Sequence, residues 1–271
     1  MIIRLSGADF SSNNIGTIQL IKEVTQETRD LLANYSRTFT KSQMLAVQDF
    51  VDGLKSEGIW SHIENLIIPS LAGDISEAFY PIKGNGVYNE YTTVYELKNN
   101  GLYVASSDTS KIPAKIRANG SYMNLHIASY LTYCPKNTAE NTINSIYGSG
   151  IQVRERWMLE NNIILYFSDT SKTVSINAAA ISDTKTFLGV SSGTDNLYCV
   201  HNGAKHTYGN ILDTDNTITD IPFNVGADIN NATSSNIAQG LISTGSAMSS
   251  DMMLVYSRLV DALMKSILPV L

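Results

Sequence analysis

The chain has 271 residues, enough for one large domain or two small ones with a substantial core. Only 16% of it is charged, below the usual quarter, and Ser, Thr, Asn, Gly and 14 Tyr take up the difference. A formal net charge of −6 argues against nucleic acid as a partner, because phosphate neutralisation needs a basic face.

Met1–Gly7 lacks the apolar run of a signal peptide, and no apolar stretch is long enough to span a bilayer. The expectation is a soluble chain without membrane insertion. Residues 1–20 read as a short strand and a loop, broken at Gly7 and Asn13-Asn14. From about Val24 to Tyr80 the period is helical. Thr40-Lys41-Ser42-Gln43 is a capping box, after which Met44, Val47, Phe50, Val51 and Leu54 recur on one helical face. Gly58 suits the end of that helix. Trp60, Ile63, Leu66 and Ile67 predict a second short helix stopped by Pro69, and Leu71, Ile75 and Phe79 a third.

Lys83-Gly84-Asn85-Gly86 marks a change to alternation. The predicted division is therefore 1–82, an attachment or oligomerisation segment, and 83–271, a β-domain. Thr93–Leu97 and Leu102–Ala105 flank an Asn99-Asn100-Gly101 hairpin turn. Extended stretches follow at Ser121–Tyr133, Ile151–Leu159, Ile163–Phe167, Val174–Ala180, Thr186–Val190 and Leu197–His201. Asn202-Gly203 is another hairpin turn before His206–Tyr208, and Ile218–Val225 and Leu241–Ala247 complete the series. Many short strands with no helices between them predict a mainly β fold, an antiparallel β-sandwich. Ser249 then caps a C-terminal helix with Met252, Tyr256, Leu259, Leu263 and Ile267 in a stripe, ended by Pro269.

No catalytic centre stands out. Gly189-Val190-Ser191-Ser192-Gly193 matches the nucleophile-elbow pattern, but a strand follows it where a helix is required, so Ser191 reads as part of a β-turn. His62, His126, His201 and His206 form no closely spaced ligand pair, and His201 and His206 read as solvated hairpin residues. Asp213-Thr214-Asp215-Asn216, with Asp220 near, offers oxygen ligands without the spacing of a calcium loop. No cofactor is expected; calcium stays open without a motif. Glu155 shares a strand face with Val153 and Trp157, and Glu160 lies on the opposite face, so no carboxylate pair serves glycoside hydrolysis. Cys134 and Cys199 read as two half-buried thiols, with pairing left open. The positive candidates are Arg154 and Arg156, on the polar face of their strand, as planar donors toward a glycan or a partner.

Three groups of residues carry a family resemblance. They are Phe50 and Leu54 leading into Gly58-Ile59-Trp60, Ile63, Leu66, Pro69 and Leu71-Ala72; Leu197-Tyr198-Cys199-Val200-His201-Asn202-Gly203; and Phe223-Asn224-Val225-Gly226, Gly240-Leu241-Ile242, Met248-Ser249, Tyr256 and Leu263. Together they resemble tailed-bacteriophage virion proteins with a concanavalin A-like, or laminin-G-like, domain. Ser6–Ser11 and Asn14-Ile15-Gly16 are similar to the openings of proteins from phages of gut Bacteroidetes.

The resemblance implies a jelly-roll sandwich and a non-catalytic fibre, decoration or tail-associated role. It also implies assembly in the host cytoplasm, exposure on the particle, homo-oligomers, and other virion proteins as partners. Lectin-like adhesion to host-surface glycans is its natural extension. The alternatives are a purely structural component and a polysaccharide depolymerase.

Overall fold

The computed structural model describes residues 2–4, 19–85, 95–104, 115–118, 125–133, 141–146, 152–156, 162–166, 173–177, 185–192, 196–201, 203–209, 221–225 and 238–269. Two antiparallel sheets dominate it. The larger has the order β15 (Ala204–Gly209), β14 (Asn196–His201), β13 (Thr186–Ser192), β8 (Leu125–Tyr133), β17 (Ala238–Gly245), β3 (Ile63–Ile67) and β4 (Pro81–Lys83). The hairpin of β5 (Tyr95–Lys98) and β6 (Gly101–Val104) joins it along β17, giving nine strands. The smaller sheet has the order β12 (Thr173–Asn177), β11 (Asn162–Tyr166), β10 (Gln152–Arg156), β9 (Asn141–Ile146), β16 (Ile221–Val225) and β7 (Lys115–Ala118). A separate pair joins β1 (Ile2–Arg4) to β2 (Gln19–Ile21). The antiparallel β-sandwich with helices toward both ends, expected from the sequence, is the observed fold.

Three helices form a third layer on the nine-stranded sheet. The first is α1 (Gln26–Leu32), capped by the Thr25 hydroxyl. In α2 (Lys41–Ser56) the Thr40 capping box is complete, since the Thr40 hydroxyl accepts from the Gln43 N–H and the Gln43 side chain from the Thr40 N–H. Beyond its end Gly58 sits at φ +73°, a left-handed position where glycine carries no Cβ penalty. The third is α3 (Ser250–Ile267), capped by Ser249, which lies along β13 and β14 and packs against α2. Arg37 fastens its far end, donating to the carbonyls of Ile267 (3.0 Å) and Ser70 (2.8 Å).

One core fills the space between helices and sheet, with Phe50, Leu54, Tyr130, Phe187, Tyr256 and Val260 among its buried members. Tyr256 meets Phe187 edge to face, ring centroids 5.5 Å apart. Each such side chain withdrawn from water contributes about 1.5–3 kcal/mol before its ordering cost is subtracted. Gly189 lets α3 approach this closely: a Cβ there would stand 2.6 Å from the Met253 sulfur. A second core lies between the sheets, where Ile67, Leu102 and Ile242 of the large sheet meet Val225 of the small one. The Tyr95 hydroxyl crosses this gap to donate to the Val225 carbonyl at 3.0 Å.

The structure corrects three expectations. Residues 59–67 are not a helix: Ile59–His62 form one 3-10 turn, and Ile63–Ile67 are β3, an interior strand of the large sheet. A strand buried on both faces has no apolar/polar alternation, and its apolar run reads equally well as a buried helix. The third predicted helix is two short 3-10 turns, Pro69–Leu71 and Glu77–Phe79. Strands from both sides of residue 82 therefore share one sheet. At the β5–β6 hairpin the two central turn residues are Asn99 and Asn100, at φ 53° and 60°, rather than Asn100 and Gly101. Among the described residues no helix is long and apolar enough to cross a membrane.

Candidate functional site

The register of the six-stranded sheet separates its two faces residue by residue. Val225 is buried between the sheets, so the face it shares with Phe223, Ile146, Val153, Leu165 and Val174 is the inner one. Glu155 falls on this face too, opposite Ile163, as the alternation of its strand predicts. The other face looks away from the nine-stranded sheet, on which the helices pack, and is called the outer face for the described residues.

Arg154 and Arg156 lie on the outer face of β10. Arg154 stands opposite Thr142 on β9 and Ile164 on β11, and Arg156 opposite Asn162. Two more cations share this face: Lys115, opposite Asn224, and Arg117, opposite Pro222, both on the edge strand β7. The sequence reading passed over β7, although Lys115-Ile116-Arg117-Ala118 alternates as a two-faced strand should. It also passed over β9, whose Asn-Thr-Ile-Asn-Ser-Ile composition conceals a strand that pairs on both sides.

One continuous row crosses all six strands: Thr173, Tyr166, Gln152, Ser145, Asn224 and Lys115. At the normal spacing of strands, the row is about 24 Å long and β10 stands about 14 Å from β7. Arg154 and Arg156 lie to one side of the row and Arg117 to the other, because β16 and β9 run in opposite directions. Of the residues that register places on this face, four are Lys or Arg and none is Asp or Glu. The chain as a whole has more acids than bases, 25 against 19. The register positions of this face thus bring together Ser, Thr, Asn, Gln, Tyr, Lys and Arg, the residue types that polyhydroxylated ligands use.

Elsewhere the reactive-looking groups are buried in structural roles. Ser191 is in β13, not in a turn, and fully buried. Its hydroxyl donates to the Met248 carbonyl and accepts from the Met248 N–H, both at 2.8 Å, which fixes the approach to α3. His126 has no exposed surface. Its Nδ1–H donates to the Ser246 carbonyl at 2.8 Å, which assigns the tautomer, and Nε2 accepts from Ser243 Oγ at 3.4 Å. The Tyr256 hydroxyl donates to Ser243 Oγ at 2.9 Å, and Ser246 Oγ lies 3.2 Å from His62 Nδ1.

Burial pushes the His126 imidazolium down to about 4 and the Cys199 thiol up to about 12, so both are held neutral. A serine–histidine contact sealed in this way has no route for a substrate. His201, expected in solvent, is 5% exposed, because β14 is an interior strand that α3 also covers. His206 stands opposite Cys199 on β15 and His201 opposite Ala204, so the two do not share a register position.

Among the described residues no group of three His, Cys, Asp or Glu is placed to hold a metal. Cys199 is a free, buried thiol. Cys134, Glu160, Asp213, Asp215, Asn216 and Asp220 lie outside the described residues.

Two other surface features are less suited to a polar ligand. Trp60 has the Lys55 and Lys83 ammonium groups 5.6 and 4.9 Å from its ring centre, so its π-face is already engaged. Between α2 and α3 lies a cleft of about 330 Å³ lined by Leu45, Ala46, Phe50, Leu259 and Leu263, with Asp49 beside them. It offers aliphatic walls and few convergent donors.

No protein-family model matches the chain, and no curated protein matches it either. Solved structures do. The receptor-binding domain of botulinum neurotoxin C/D mosaic serotype superposes with a TM-score of 0.51 at 12% identity, covering 73% of this chain and 51% of that one. Botulinum neurotoxin type C, whose cell entry depends on interaction with two ganglioside molecules, gives 0.53 at 14% identity, covering 75% and 53%. The binding domain of botulinum neurotoxin DC in complex with SialylT gives 0.51 at 13%, covering 73% and 51%. The chain thus spans about half the length of these domains. At such identities the likeness shows the fold alone, an antiparallel β-sandwich.

Proposed function

We propose that this chain is a non-catalytic carbohydrate-binding module whose ligand lies on the outer face of the six-stranded sheet. The observation that carries the reading is the register-defined row Thr173–Tyr166–Gln152–Ser145–Asn224–Lys115, flanked by Arg154 and Arg156. Strands hold such donors at fixed spacing, so little ordering cost falls on binding. The dependence of botulinum neurotoxin type C cell entry on two ganglioside molecules, and the complex of the type DC binding domain with SialylT, both on a similar fold, support this reading.

The motifs shared with phage proteins extend it: a virion component, exposed on the particle, with host-surface glycans as ligands. Other virion proteins and further copies of the chain would then be its partners, with residues 1–82 taking part in attachment. That extension rests on the sequence motifs.

The test is equilibrium binding to bacterial capsule and cell-wall polysaccharides, with and without calcium, scoring bound protein and newly released reducing ends together. Binding without cleavage, weakened at least tenfold in Arg154→Ala/Arg156→Ala, is the expected result. Cleavage would establish the depolymerase instead, and absence of binding across the panel would leave a purely structural role.

A further inference from the structure

The charges on the outer face define the class of ligand more narrowly than the fold does. In a chain of net charge −6, the six-stranded sheet collects Lys115, Arg117, Arg154 and Arg156 on one face with no carboxylate among its register-placed neighbours. Equal mixing of signs would have put acids there as well, since the chain holds more of them than bases. Glu155, the one acid within β10, falls by the period of two on the inner face, opposite Ile163.

We infer that the face takes anionic glycans, with Arg154 and Arg156 at one end and Lys115 and Arg117 at the other pairing with carboxylate or sulfate groups on successive sugars. This rests on the glycan-binding reading above and deepens it. The strands that carry the two cation pairs stand about 14 Å apart and the pairs are offset along the strands as well, so a single monosaccharide does not bridge them and an extended chain does. Between them lie Gln152, Ser145, Thr142 and Asn224, donors and acceptors suited to sugar hydroxyls. Arginine is the apt cation, because its planar fork matches a carboxylate or sulfate with two parallel N–H donors.

Nucleic acid is the rival polyanion, and the face suits it less. Single strands are held by several aromatic platforms in series, whereas register places one aromatic, Tyr166, in the row. Duplex binding needs a dominating positive field, which a chain of this net charge opposes.

The test uses the full chain and two matched pairs of polymers that differ in charge: polygalacturonate with its methyl ester, and dextran sulfate with dextran. A random-sequence DNA oligonucleotide completes the set. At low salt the charged member of at least one pair is expected to bind tenfold or more tighter than its neutral partner. Raising the salt severalfold should close that gap, as screening of surface charge requires.

Arg154→Ala/Arg156→Ala and Lys115→Ala/Arg117→Ala should each lose about tenfold toward the charged polymer and less toward the neutral one, so that the gap within the pair narrows; equal losses toward both would overturn the anionic class. Unaltered circular dichroism and thermal midpoints would show that the variants fold. Equal affinity within both pairs overturns the anionic class and spares the glycan reading. No binding to any polysaccharide removes both. Tighter binding to DNA than to either charged polysaccharide assigns the face to nucleic acid.

Discussion

Acidifying the protein is expected to weaken the junction between β8, β17 and α3, through one side chain. His126 is enclosed there with Ser243, Ser246, Tyr256 and His62 around it. Burial lowers its pKa from 6.5 to about 4; the Ser246 carbonyl acts against the shift and the neighbouring His62 adds to it. Above pH 6.5 the ring is neutral in folded and unfolded chains alike, and it contributes no pH dependence. Below that value the unfolded chain binds a proton that the folded chain refuses. Stability then falls by about 1.4 kcal/mol per pH unit. The loss reaches about 3 kcal/mol near pH 4, where the folded protein takes up the proton and the slope ends.

Urea unfolding at several values between about pH 7.5 and 4.5, on wild type and His126→Asn, isolates this contribution. Carboxylates with lowered pKa values, such as Asp74 and Glu77, also cost stability in acid, but equally in both proteins. Wild type should therefore lose about 2–3 kcal/mol more than the variant over that interval. Parallel pH profiles would refute the assignment of a neutral, enclosed His126.

Three further outcomes follow from the same packing. Tyr256→Phe removes the donor to Ser243 and should cost about 1 kcal/mol, whereas Tyr256→Ala also opens a cavity beside Phe187 and should cost about 3–5 kcal/mol, both read from urea midpoints. Thr40→Ala dismantles the capping box of α2 and should cost about 1 kcal/mol by the same measurement. Ser191→Ala leaves the Met248 N–H without its partner, a loss of about 1–3 kcal/mol. Glycan binding should survive that change at temperatures where the variant is folded; loss of function without loss of stability would mean that Ser191 has a chemical role.

Legibility in the sequence followed the number of faces a segment buries. β10 alternates, so Val153 and Arg154 already announced two sides of a strand, and the register agrees. The helices α2 and α3 were readable because caps and a 3.6-residue stripe specify a surface helix twice over. β3 lies between layers and shows no alternation, so Ile63, Leu66 and Ile67 mimicked a helix. The stretch Leu125–Tyr133 was legible as extended but not as to its faces, since eight of its nine residues are buried.

The nucleophile-elbow match dissolved into two packing devices, room for Met253 at Gly189 and a tie to Met248 at Ser191. Neither is visible without α3 in place. The candidate site was half legible. Arg154 and Arg156 lie on one strand and could be paired by counting, but Lys115 and Arg117 join them only through β9 and β16. Sequence separation hides what a sheet brings together.

Hydrogen–deuterium exchange of the full chain, with and without the tightest-binding polysaccharide, tests the central claim most directly. Ligand on the outer face should slow exchange in peptides covering 115–118, 141–146, 152–156 and 221–225, and leave those covering 41–56 and 250–267 unchanged. Protection confined to the latter two would place the ligand in the cleft between α2 and α3 and contradict the assignment to the six-stranded sheet.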